Sequence, residues 1–194
     1  KLSAIESHLA ADVLSYFGAL VNGVDGWFRK VVEELAADQQ KKDKLVIILT
    51  TPGGSAETVE RIVNVVRHFY NTVDFIVPDY AYSAGTIFCM SGDNIFMDYY
   101  SVLGPIDPQV QNREGKLVPA LGYLDKIEDL IEKDRQKTLT NAEFAILQSM
   151  DLAELKSYEQ AKSLTIDLLK QWLVKYKFSK WNTHRTDPDK IGQE

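Results

Sequence analysis

The chain is poor in the groups that staple, ligate or span. Its 194 residues hold one cysteine, Cys89, so no internal disulfide can form. That points to a reducing, cytoplasmic compartment. Cys89 lies in the apolar run Ile87-Phe88-Cys89-Met90 and reads as core packing, the usual fate of a free cysteine. The three histidines, His8, His68 and His184, form no cluster with metal-ligand spacing, so neither a metal nor an organic cofactor is implied. No apolar run approaches the ~18 residues of a membrane span, and membrane association is not indicated. No secretory leader is visible; because the chain opens at Lys1 rather than Met, that absence decides little. Positive charge is also short. There are 22 Lys and Arg against 28 Asp and Glu, a net charge of −6 that argues against a nucleic-acid surface. The run Lys41-Lys42-Asp43-Lys44 reads as a solvated loop before a strand.

What is present is a globular chain, 45% hydrophobic and 26% charged, long enough for one domain with a sizeable core and a helical extension. The organising stretch runs from Leu45 to Gln109. Two short apolar runs, Leu45–Leu49 and Val73–Val77, each lead to a turn of small residues. The first turn is Thr51-Pro52-Gly53-Gly54-Ser55 and the second is Tyr82-Ser83-Ala84-Gly85-Thr86. Helical spacing follows each turn. The continuous apolar run Leu45–Leu49, with its β-branched residues, fits a strand buried on both faces of a parallel sheet, and Val73–Val77 reads as the next parallel strand. Where a strand turns into a helix, backbone N–H groups point outward and favour negative charge. A serine there is placed for nucleophilic attack, and a neighbouring Gly-Gly pair can donate N–H groups to an oxyanion. By position alone a helix N-cap is the preferred reading of Ser83.

Taken in order, residues 1–10 carry little signal. Asp12–Leu20 reads as a strand and Val24–Ala37 as a helix with Val24, Trp27, Phe28, Val31, Val32 and Leu35 at helical spacing. Asp38–Lys44 is a polar loop. Ser55 is a candidate N-cap for a helix over Ala56–Tyr70, whose apolar stripe leaves His68 facing solvent. Ser83–Ser91 reads as a short buried helix, and Asn94–Met97 and Ser101–Leu103 as short strands. The turn Gly104-Pro105-Ile106-Asp107-Pro108 is stiffened by two prolines. Asn112–Gly115 is a polar loop. Helices are expected over Leu121–Gln136, from a Thr140/Glu143 capping box to Met150, and over Ala153–Tyr176. The last of these carries Leu155, Leu164, Leu168, Leu169, Trp172 and Leu173 on its apolar face. Residues 179–194 are polar, with Pro188, and are expected to be loosely ordered or cut from something longer. The divisions expected are 1–138 for the α/β domain, 139–178 for a helical extension and 179–194 for a polar tail.

Four motifs in order, Thr51-Pro52-Gly53-Gly54-Ser55, Tyr82-Ser83-Ala84-Gly85-Thr86, Asp93–Asp98 (DNIFMD) and Ser101–Gln109 (SVLGPIDPQ), give the chain a resemblance to the Clp protease/crotonase superfold. Within it the chain looks most like the serine dehydrogenase proteinase and signal peptide peptidase families. The resemblance covers roughly residues 10–135. It implies an α/β spiral of ββα units, a homo-oligomer built on trimers or rings, and a serine nucleophile for the peptide bonds of a peptide or protein substrate. Ser83 matches the nucleophile. Gly53 and Gly54 match the oxyanion turn, and the Ala84 N–H is the second donor. The Clp branch places a histidine base near Ser101–Gln109, and this chain has none there. The signal peptide peptidase branch uses a downstream lysine at the start of a helix. Lys126 matches it, with Lys116 in reserve. The acidic neighbours Asp125, Glu128 and Asp129 oppose the role if they face Lys126, since they favour its ammonium form. Asp107 orients a base or caps its turn, the second being preferred. Two further readings follow from the same fold: a non-catalytic scaffold that binds peptides or partners, and a crotonase-type acyl-CoA enzyme. The serine in the small-residue turn argues against the latter.

Overall fold

The computed structural model describes residues 2–107, 109–111 and 117–179. The loop expected at Asn112–Gly115, the reserve candidate Lys116, His184 and the stretch 180–194 lie outside the described residues. The chain divides into two compact units, residues 1–106 with 167–194, and residues 107–166.

The first unit is built on a four-stranded parallel sheet. Its strands are β1 (Asp12–Phe17), β2 (Lys44–Thr50), β3 (Thr72–Val77) and β5 (Asn94–Met97), in the order β1-β2-β3-β5. Leu45, Val46, Ile47 and Leu49 of β2 are all buried, as a strand covered on both faces requires. Helices α2 (Val24–Ala37), α3 (Ala56–Phe69) and α4 (Ala84–Met90) connect the strands. Phe28 of α2, Val59, Ile62, Val63 and Val66 of α3, and Ile87 and Phe88 of α4 are buried. The Phe88 ring meets Phe28 and Phe75 edge-on at 5.8 and 4.8 Å. A helix over α1 (Leu2–Leu9), which the sequence did not signal, packs Ile5 and Leu9 against Ala11, Val13 and Val46.

The first three main strands, β1, β2 and β3, each lead into a second, shorter extended piece before a helix. Leu20 bridges Gly54, and Thr51 bridges Ala81. The two-residue strand β4 (Tyr80–Ala81) pairs in parallel with β6 (Val102–Leu103). Strand, short strand, helix is the repeat, and the result is a spiral of ββα units. This explains why β1 ends at Phe17 rather than reaching Leu20. The chain turns at Gly18, whose N–H donates to the Thr50 carbonyl at 3.2 Å, and Leu20 then pairs with the second layer instead.

The second unit opens with a hairpin, β7 (Gln109–Gln111) and β8 (Leu117–Pro119), followed by α5 (Ala120–Arg135), α6 (Asn141–Ser149) and the first part of α7 (Leu152–Trp172). Ala120, Leu124 and Tyr158 form its buried centre with Val118 and Leu155 against them. The expected capping box is formed. Thr140 Oγ1 accepts from the Glu143 N–H at 3.3 Å, and Glu143 Oε2 accepts from the Thr140 N–H at 3.0 Å. The α-helical hydrogen bonding of α7 stops at Trp172 and a π-helical turn covers Leu173–Lys177, with the Phe178 N–H reaching the Leu173 carbonyl at 2.8 Å. The buried residues of α7 are Tyr158, Thr165, Leu168 and Trp172. Tyr158 and Thr165 were not among the apolar positions expected from spacing. No helix among the described residues is long and apolar enough to cross a membrane.

Candidate active site

The two small-residue turns are brought together by the second layer. The first begins at Thr51, which is fully buried. Its N–H donates to the Tyr80 carbonyl at 3.0 Å, and its carbonyl accepts from the Tyr82 N–H at 3.0 Å. Two residues later Gly53 turns with φ +101°, a left-handed conformation that an L side chain adopts only with strain. Both polar ends of Gly53 are clamped. Its N–H donates to Thr51 Oγ1 at 3.1 Å, and its carbonyl accepts from the Leu20 N–H at 2.8 Å. In a trans peptide the carbonyl and the next N–H point in opposite directions, so the Gly54 N–H is aimed away from Leu20. Gly54 itself is exposed. A Cβ there would lie 2.1 Å from the Leu20 carbonyl oxygen, so only glycine fits that approach. Ser55 closes the turn as the N-cap of α3, accepting from the Thr58 N–H at 3.2 Å and donating to Glu57 Oε2 at 2.5 Å.

The second turn holds Ser83. It is half-buried, precedes the first residue of α4, and has φ 49° and ψ −117°. Among the described residues only Ala10 and Lys137 share a positive φ without being glycine. Such a conformation costs about 1–3 kcal/mol and persists only where the surroundings impose it. The surroundings here are explicit. The Gly85 N–H donates to the Tyr82 carbonyl at 2.8 Å, and the Ser83 carbonyl accepts from the Ile87 N–H at 3.2 Å. Thr86 Oγ1 lies 2.8 Å from the Ala81 carbonyl and 2.9 Å from that of Gly104, tying α4 to β4 and to the end of β6. The Ser83 hydroxyl makes no N-cap hydrogen bond to α4, so the bland use of a serine at this position is not the one adopted.

Gly53 and Ser83 are in contact across the two turns. A Cβ built on Gly53 would sit 2.6 Å from the Tyr82 carbonyl oxygen, 3.0 Å from Ser83 Cβ and 3.4 Å from the Ala84 nitrogen. Among the described residues no acceptor takes the N–H of Gly54 or of Ala84. The site therefore offers one hydroxyl on a strained turn and, on adjoining backbone, two N–H donors that have no acceptor among the described residues. The Gly53 N–H is already engaged by Thr51.

The other candidates are placed as follows. Lys126 is exposed on α5 in the second unit, and among the described residues it forms no ion pair with Asp125, Glu128 or Asp129. Asp107 Oδ1 accepts from the Leu121 N–H at 3.2 Å, capping α5, whose N-cap position is taken by Pro119. His8 and His68 are exposed, and the His68 ring stands edge-on to Phe69. Cys89 is fully buried, and burial pushes its thiol up to about 12, which suits packing and not nucleophilic chemistry. Two contributors were not singled out from the sequence: the Leu20 backbone and the Thr51 side chain. A threonine two residues before a glycine is the available signal, since such hydroxyls bond nearby backbone in turns.

Residues 30–187 match the family model of ClpP-like SDH-type serine proteinases. The chain belongs to that family. Two proteins of Methanocaldococcus jannaschii are similar to it. The uncharacterized protein MJ0137 is 32% identical over 66% of this chain and 41% of its own length. The uncharacterized protein MJ1495 is 32% identical over 64% of this chain and 38% of its own length. The chain thus spans about two fifths of the length of these relatives. Among solved structures, a mutant of the 1510-N membrane-bound stomatin-specific protease in complex with a substrate peptide is 20% identical. That likeness covers 86% of this chain and 73% of that one, with a TM-score of 0.48. A ClpP1 mutant from Listeria monocytogenes is 15% identical over 82% of each chain, with a TM-score of 0.45. Membership of the ClpP-like family accords with the parallel sheet and the spiral of ββα units described above.

Proposed function

We propose that this member of the ClpP-like serine proteinases hydrolyses peptide bonds with Ser83 as nucleophile. The observation that carries the reading is the strained Ser83 turn held against the Gly53-Gly54 turn, with its hydroxyl not used as a helix cap. Ser83 Oγ attacks the carbonyl carbon of the scissile bond while a base takes its proton. The Gly54 and Ala84 N–H groups donate to the oxyanion that develops, a contribution of about 2.7–4 kcal/mol per donor where it has been removed. The proton passes to the leaving amine, the C–N bond breaks, and an acyl-enzyme ester forms. Water then attacks the ester and releases Ser83.

Lys126 is the base in this proposal. A lysine serves as a base only where desolvation or nearby positive charge draws its proton affinity down, so Lys126 must become less solvated in the working enzyme than it is on the exposed face of α5. A homo-oligomer, the state that the family resemblance implies, supplies one route to that burial. The substrate is a peptide or protein segment. A second reading, a non-catalytic scaffold that binds peptides, is favoured by the exposure of Lys126.

Labelling by a fluorophosphonate serine probe tests both. The wild type is expected to label, and Ser83→Ala and Lys126→Ala are expected to lose labelling. Loss in Ser83→Ala alone keeps the nucleophile and removes Lys126 as base. A folded wild type that does not label supports the scaffold.

A further inference from the structure

We infer that Thr51 is a positioning residue for the oxyanion-binding backbone, holding the Gly53-Gly54 turn in register with Ser83. The inference rests on the reading of Ser83 as a nucleophile. Thr51 touches both turns with different atoms. Its backbone is paired on either side of Ala81, through the Tyr80 carbonyl and the Tyr82 N–H, and so fixes the residue that precedes Ser83. Its methyl lies where Gly85 has no side chain: a Cβ on Gly85 would come within 2.3 Å of Thr51 Cγ2. That contact seats the first turn of α4 directly on Thr51. Its hydroxyl accepts the Gly53 N–H at 3.1 Å in a fully buried setting.

The hydroxyl is the informative part. Gly53 is free to rotate because it has no Cβ, and its backbone sets the plane that carries the Gly54 N–H. Leu20 holds one side of that residue through its carbonyl and Thr51 holds the other through its N–H. Removing the hydroxyl leaves a buried N–H without a partner, which the turn relieves by rotating. The Gly54 N–H then loses its aim at the oxyanion, and a donor displaced by about 1 Å loses much of its effect on rate. Thr51 itself touches neither substrate nor reacting atom.

The test is the kinetics of fluorophosphonate labelling, separated into a maximal rate and a half-saturating probe concentration, with thermal melting as the control for folding. Thr51→Val keeps the methyl pair and removes the hydroxyl. It is expected to lower the maximal labelling rate about 10-fold or more, with the half-saturating concentration within about 2-fold of wild type because probe binding is not Thr51's task. Thr51→Ser restores the hydroxyl and is expected to recover the rate to within about 3-fold. If Thr51→Val does not fold, Thr51→Ser against Thr51→Ala isolates the same hydroxyl and carries the test. Wild-type rates in the variant lacking the hydroxyl overturn the inference. So does a Thr51→Ser rate as low as that of the hydroxyl-free variant. Labelling that survives Ser83→Ala, or a wild type that never labels, overturns the nucleophile reading together with this one.

Discussion

Gly53→Ala is the sharpest perturbation of the proposed site that leaves Ser83 in place. Gly53 has φ +101°, and an added Cβ would lie 2.6 Å from the Tyr82 carbonyl oxygen and 3.0 Å from Ser83 Cβ. The left-handed backbone costs an L residue about 1–2 kcal/mol, and forcing a methyl into filled space costs about 1–3 kcal/mol more. The sum, about 2–5 kcal/mol, corresponds to a fall of about 4–20 °C in melting temperature for a chain of this size. The clash also pushes directly on the Tyr82–Ser83 peptide, so fluorophosphonate labelling should fall about 100-fold. Gly23→Ala is the internal control. Gly23 has φ +94°, yet a Cβ there meets nothing within 4 Å. It carries the backbone strain without the clash, and should lower the melting point by only about 2–8 °C with labelling unchanged. Differential scanning calorimetry and labelling rates on both variants decide the matter. Equal melting losses in the two, with equal labelling, would refute the claim that the two turns are in contact.

Other perturbations follow from the same geometry. Ser83→Gly should abolish labelling yet melt about 2–4 °C higher than Ser83→Ala, because glycine relaxes at φ 49° and ψ −117° while alanine keeps the strain; a net gain of about 1 kcal/mol remains after glycine's greater chain entropy. Gly122 lies within α5, and a Cβ there meets nothing within 4 Å; Gly122→Ala should raise the melting point by about 1–4 °C, from about 0.5–1 kcal/mol of helix propensity. Glu143 is drawn down to about 2, first by the hydrogen bond from Lys133 at 2.5 Å and then by the Thr140 N–H and hydroxyl. A carboxyl depressed in the folded state stabilises fully above its ordinary 4.5 and loses that contribution as pH falls toward 2. Amide exchange of α6, corrected for intrinsic rates, should therefore lose protection over that interval in wild type and not in Glu143→Gln.

The parts of the fold that could be read from the sequence are those where one signal dominates. The apolar run Leu45–Leu49 has no polar residue to place on a solvent face, and β2 is the buried middle of the sheet. The Val24–Ala37 helix and the Thr140/Glu143 capping box stand where spacing and chemistry put them. What could not be read has no period of its own. Strand β4 is two residues long, too short for alternation to show, and exists because Thr51 pairs with Ala81 and Val102 with Tyr80. The same holds for Leu20, which looks like the tail of a strand and is instead a partner of Gly54. In α7 the buried positions include Tyr158 and Thr165. An apolar-only count misses both, since tertiary packing and not hydropathy selects them. At the site, glycine and serine advertise themselves. Thr51 does not, because its role depends on which backbone it meets.

The strain at Ser83 and the glycines facing it are one feature seen from two sides. A serine in an unfavourable conformation would relax if its neighbours allowed it. They do not, because the residue before it is paired to Thr51 and the residues after it enter α4, which Thr86 ties to Ala81 and Gly104. For the backbone of the first turn to come close enough to meet Ser83, it must carry no side chain at Gly53. To approach Leu20 it must carry none at Gly54, and Gly85 must leave room for the Thr51 methyl. A helix cap needs none of this: Ser55 caps α3 with an ordinary extended backbone at φ −86° and ψ 132°. Two serines therefore stand at equivalent points of successive ββα units, one relaxed and capping, the other strained and not. The local cost of about 1–3 kcal/mol at Ser83 is not offset by a side-chain cap on α4, and this contrast with Ser55 is what favours a chemical role for the Ser83 hydroxyl.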